Sequence, residues 1–88
     1  MNSRGFFDEL VDELLKIDSR KDMADFLRGI LTPSEAAEIP KRLQIVKLLK
    51  AGVAQKEISE KLGVGIATVT RGSKEVQEGK FKYIRGMK

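Results

Sequence analysis

The side chains able to do chemistry in this chain are few in kind. Its 88 residues include no histidine and no cysteine. That removes the commonest general base, the commonest metal ligand, and any thiolate or disulfide. No glycine-rich phosphate loop and no paired-acid motif takes their place, so neither an enzyme nor a metal site is expected. What remains is charge. Residues 1–38 hold five Lys/Arg against nine Asp/Glu, a net of −4, and residues 39–88 hold twelve against four, a net of +8. A basic half joined to an acidic half implies a polyanionic partner. The other reading of the same asymmetry is solubility alone.

Within the basic half lies EKLGVGIATVTRGSKEV, residues 60–76. Two short helices joined by LGVG make a helix-turn-helix pattern. Gly63 can take the left-handed conformation that stops the first helix. Val64 plugs the turn, and Gly65 lets the chain re-enter a helix at a sharp angle. Ser59 is small, as suits a close crossing, and Val69 faces Ile58 and Leu62. Ala67, Thr68 and Thr70 stand at or near the exposed start of the second helix. Small side chains there allow backbone N–H groups to approach a groove and its phosphates. An αα-hairpin in any bundle could carry the same pattern. The basic flanks Lys56, Lys61, Arg71 and Lys74 favour DNA.

The elements that hold this pair of helices follow from apolar spacing. Phe7, Leu10, Val11, Leu14 and Leu15 predict a helix over residues 5–17. Asp18 or Ser19 can cap a second, whose face is Met23, Phe26, Leu27, Ile30 and Leu31. LTPSE then places Thr32 as N-cap, Pro33 at the first helical position and Glu35 three residues beyond the cap. The third helix is expected from Pro33 to about Lys50, with a kink or a fresh start at Pro40. Its apolar residues Leu43, Ile45, Val46, Leu48 and Leu49 cover more than half its circumference, which marks a central helix. Ala51 and Gly52 end it. Residues 55–62 and 66–78 form the helix-turn-helix pair, and 79–88 a basic tail. There is no strand signal, repeat or interdomain linker. One all-α domain is expected over residues 1–88, with residues 1–31 as dimerisation helices. Their apolar stripes are too broad for 88 residues to cover in a monomer. No run of residues is apolar enough to cross a membrane and no secretory pattern opens the chain, so a cytoplasmic protein is expected.

The segments LTPSE, KRLQIVKLL and QKEISEKLGVGIATVTRGS, in that order, resemble the Trp repressor family over about residues 30–74. GIATVTRGS is close to a signature of that group. The resemblance implies an all-α intertwined homodimer, with residues 55–62 and 66–76 as the DNA reader of each subunit, acting as a cytoplasmic transcriptional repressor on a palindromic operator. It places Gln55, Lys56, Thr68 and Thr70 where the family contacts operator DNA, beside Ala67 and Lys74 on the same helices. With no Asn or Gln near the start of the reader helix, recognition leans on phosphates, DNA shape and bridging water. The Trp repressor is itself a known instance of water-mediated readout, so that expectation is inherited from the resemblance.

The same resemblance implies a ligand pocket. Arg42 and Arg71 match the two arginines that hold the tryptophan corepressor, and Thr32 the end of a segment lining that pocket. Two guanidiniums facing a cleft suit a carboxylate. Glu75 stands where the family has a small hydroxyl residue, four residues after Arg71. An internal Arg71–Glu75 pair is therefore expected, and with it weak or no binding of free L-tryptophan. Only about ten residues follow the reader, where the family carries a long helix. The resemblance is thus to a shorter Trp repressor-related protein rather than to the tryptophan repressor proper. No cofactor is required, and a different small-molecule effector can be accommodated. Two other readings stand beside this one. The first is a protein-interaction module that uses the helix-turn-helix as scaffold. The second is the full tryptophan-dependent corepressor mechanism.

Overall fold

A computed structural model describes residues 5–86. Among these described residues five helices follow one another: α1 (Phe6–Lys16), α2 (Arg20–Ile30), α3 (Pro33–Lys50), α4 (Gln55–Leu62) and α5 (Ile66–Gln77). No strand occurs among the described residues, as expected. The ends of the chain assigned to the dimerisation segment and the basic tail, residues 1–4 and 87–88, lie outside the described residues. The packing divides into two units, residues 1–36 and 37–88.

In the first unit, the helix starts follow the expected chemistry. Ser19 accepts the Asp22 N–H at 3.0 Å and caps α2. Thr32 and Glu35 form a reciprocal capping box: Thr32 Oγ1 accepts the Glu35 N–H at 3.2 Å, and Glu35 Oε1 accepts the Thr32 N–H at 2.9 Å. No residue of α1 or α2 is buried. Phe6, Phe7, Leu15 and Ile30 are 76%, 74%, 78% and 52% exposed.

The fresh start allowed for at Pro40 does not occur, since α3 runs as one helix from Pro33 to Lys50. Pro40 has no N–H for the Ala36 carbonyl. Residues 32–44 are all exposed, so water can serve that carbonyl instead. Burial on α3 begins only at Ile45, and Leu43, expected on the covered face, is 39% exposed.

The second unit has a core of Ile45, Leu48, Ile58 and Val69, with Leu49, Val53, Leu62 and Val64 packed around it. Gly52, with φ +86°, closes α3. The Val53 N–H reaches Leu48 O and the Gly52 N–H reaches Leu49 O, which serves the last carbonyls. Gly63, with φ +66°, does the same for α4, and the Val64 N–H returns to Ser59 O. Ser59 contributes more than smallness: its hydroxyl donates to Val64 O at 2.6 Å. Both polar groups of Val64 are thus held by one residue of α4, which locks the turn.

Candidate nucleic-acid interface and ligand cavity

The turn sets α5 against α4, and the packing of α5 assigns its side chains to three faces. Val69 is fully buried on Ile58 and Ile45. Thr68, Arg71, Gly72 and Glu75, spaced i, i+3, i+4 and i+7, line a cavity with Arg42, Ile45 and Val46 of α3. Ala67, Thr70 and Lys74, spaced i, i+3 and i+7, form an exposed third face. Thr68 and Thr70, grouped together in the sequence reading, therefore lie on different faces. Thr68 and Arg42 also line a second opening, formed with Gly63, Val64 and Gly65 at the turn.

The proposed DNA residues at the other helix are Gln55 and Lys56, the first two residues of α4. Lys56 is exposed and Gln55 half-buried. Thr70 Oγ1 donates to Gln55 Oε1 at 2.8 Å and ties the two helices together across the intended contact surface. Neither α4, capped by Ala54, nor α5, capped by Gly65, has a side-chain hydrogen bond at its start. Their first N–H groups remain open to an outside acceptor, unlike those of α2 and α3. Gly65 has an ordinary φ of −66°, and a Cβ there would meet nothing within 4 Å. The sharp re-entry expected of it thus needs no glycine.

The glycine of α5 that is crowded by packing is Gly72. A Cβ at that position would lie 3.1 Å from Ile45 Cγ2 and 3.6 Å from Leu49 Cδ1. Here α5 lies against α3. Gly72 stands inside the GIATVTRGS segment, but local patterning could not show it, because its neighbours are more than 20 residues away.

The cavity has a volume of about 420 Å³, is open to solvent, and is lined by Arg42, Arg71, Glu75, Lys80 and Phe81 among others. The expected Arg71–Glu75 pair is not formed. Glu75 instead pairs with Lys80 at 2.6 Å. That hydrogen bond is the main cause holding the Glu75 carboxyl below its ordinary value, with Arg71 a weaker, more distant one. The same bond pushes the Lys80 ammonium up. Arg71 makes no ion pair among the described residues. The tail turns at Gly79, φ +83°, which brings Lys80 back over Glu75 where an i, i+4 contact was expected. Thr32, matched to the same pocket, belongs to the first unit and serves there as the α3 cap.

The tail itself is pinned. Lys50 Nζ donates to the carbonyls of both Phe81 and Ile84, the latter at 2.9 Å. Gly86 approaches so closely that a Cβ would lie 2.7 Å from Ala51 N.

A model of the Trp repressor protein family matches residues 6–88. The chain belongs to the Trp repressor family. It is 37% identical over 83 residues to a Trp operon repressor homolog of Xylella fastidiosa (strain M23), covering 93% of this chain and 90% of that one. A Trp operon repressor homolog of Vibrio vulnificus (strain YJ016) is 40% identical over 70 residues, 78% of this chain and 69% of the relative. One from Vibrio campbellii is 47% identical over 52 residues, 58% and 52% of the two chains. No solved structure gives a significant match. Membership of the Trp repressor family makes this a repressor-type regulator rather than an enzyme. Among the described residues, no helix is long and apolar enough to cross a membrane.

Proposed function

We propose that this member of the Trp repressor family works as a dimeric, cytoplasmic DNA-binding repressor that reads a palindromic operator through α4 and α5. The observation that carries the reading is the surface made by half-buried Gln55 and exposed Lys56, Ala67, Thr70 and Lys74. It combines basic and small side chains with two uncapped helix starts. Thr68 adds to it from the cavity side. Dimerisation is supported by the uncovered apolar residues of α1 and α2, with residues 1–31 as the dimerisation segment and the whole chain as one functional domain. In helix-turn-helix dimers, the Trp repressor among them, the two reader helices sit about 34 Å apart, one turn of B-DNA. Sedimentation should give twice the chain mass at micromolar concentration, and a stable monomer there would remove the dimer.

Lys56→Ala tests the DNA surface. A phosphate contact carries no base information, so the loss should be similar for every duplex, roughly 2- to 10-fold. The dependence of log affinity on log salt should flatten by about 0.9 per lost contact. Unchanged affinity and salt slope would place the interface elsewhere and favour a protein-interaction role for the helix-turn-helix.

A second element of the proposal concerns the effector. The expectation that tryptophan is turned away rested on Arg71 being occupied by Glu75, and that pair is absent. With Lys80 neutralising Glu75, Arg42 and Arg71 remain to attract an anion into the cavity. A small carboxylate effector fits this lining, and the names of the relatives make L-tryptophan the first probe. Titration calorimetry should show saturable binding, lowered about tenfold or more by Arg71→Ala. An absence of heat with the wild-type chain would leave the repressor without this effector.

A further inference from the structure

The hydrogen bond between Thr70 and Gln55 divides labour in a way that the exposure of the two residues does not show. A threonine hydroxyl has one proton to give. Here Thr70 Oγ1 gives it to Gln55 Oε1, 2.8 Å away, across 15 residues of chain. A hydroxyl so engaged has no proton left for a phosphate oxygen, which can only accept. Gln55 changes in the opposite sense. Its carbonyl oxygen already accepts one hydrogen bond, and its Nε2 makes no hydrogen bond among the described residues. The end of the amide left without a partner is therefore its donor end.

We propose that Thr70 acts on DNA as a positioning residue, through Gln55, and that Gln55 presents a donor amide to an acceptor on the DNA. This rests on the DNA-binding reading above and specifies what that surface selects. The acceptor is either a phosphate oxygen or an acceptor edge in the major groove, where guanine offers O6 and N7. Thr70 uses one of the two lone pairs of Gln55 Oε1, so the unpartnered part of the amide that could supply a new donor is its nitrogen. The geometry also explains why a residue at the very start of α4, where helices fray, keeps a half-buried side chain: a bond from α5 holds it.

The test is a double-mutant cycle read by fluorescence anisotropy on a selected duplex and on its single-base variants. Thr70 is exposed, so Thr70→Val keeps shape and fold while removing the donor, and thermal melting checks this. Thr70→Val should weaken binding by about 3- to 10-fold, and Thr70→Ser, which keeps the hydroxyl, by less than about twofold. In a Gln55→Ala background, Thr70→Val should have no further effect, because its partner is gone. A Thr70→Val loss that is uniform over the panel identifies a phosphate acceptor. A loss confined to duplexes with guanine at one position identifies a base edge. Both outcomes support the proposal. Additive losses from the two substitutions would overturn it by showing that the hydroxyl meets DNA itself. Failure of the wild-type chain to bind any duplex would remove the DNA reading itself, which separates the two failures.

Discussion

Ile58→Ala should destabilise the helix-turn-helix by about 2–5 kcal/mol, the range for emptying a buried aliphatic site. Ile58 is fully buried, and the core it shares with Ile45, Leu48 and Val69 is small. With so few partners, each one supplies a large share of the apolar contact that α4 makes. Small domains are stable by only about 5–15 kcal/mol, so a loss of this size is a large fraction of the total. At roughly 4–8 °C per kcal/mol for a domain of this size, the melting midpoint should fall by about 10 °C or more. Operator affinity should fall with it, because α4 loses the side chain that seats it against α3 and α5. Ile66→Ala is the control: Ile66 is 51% exposed and should change the midpoint little. If Ile58→Ala melts with the wild-type chain, the core is not where the packing places it.

Lys50→Met should release the C-terminal tail. The ammonium of Lys50 bonds two carbonyls, those of Phe81 and Ile84, and methionine keeps most of the length while removing the donors. Hydrogen bonds to a charged group contribute about 1.5–3 kcal/mol each in favourable settings. Both are partly open to water, so a net of about 1–3 kcal/mol for the pair is the scale to expect. Trypsin should then cut after Lys80, Lys82 or Arg85 roughly 5- to 150-fold faster, provided that opening precedes cleavage. Lys50→Arg should largely restore protection. Equal cleavage of the wild-type and Lys50→Met chains would mean that the tail is held by other contacts. The Lys80 end of the tail responds to pH as well. The Glu75 carboxyl lies below its ordinary value, so its pairing with Lys80 stabilises above the usual carboxylate range and is lost as pH falls through the depressed value. The Lys80 ammonium lies above its ordinary value, so the same contact is complete below the usual lysine range and is lost as pH rises through the raised one. Peptide carbonyls do not titrate in this way. Acid should therefore loosen the tail at Lys80 before it loosens the grip of Lys50.

The helices and their ends were determined by the sequence itself, because the forces that set them act within four or five residues. Apolar spacing placed α1 within one residue of its observed ends. Thr32 and Glu35 showed the α3 start, Gly52 and Gly63 the two stops, and the LGVG turn the helix-turn-helix. The motifs of residues 30–74 also carried the family. Only the tertiary structure decided which side chains of α5 meet the cavity and which face outward, since that depends on how Val69 and Gly72 seat the helix on α3. It also decided that Lys80 and not Arg71 holds Glu75, that Lys50 holds the tail, and that Thr70 gives its proton to Gln55. The contacts made by Lys50, Gly72 and Thr70 span between 15 and 34 residues, and a local pattern carries no record of partners that far away. Glu75 and Lys80 are only five residues apart. Their pairing depends on the turn at Gly79, which carries the chain out of the helix, whereas the expected partner of Glu75 was Arg71 within it.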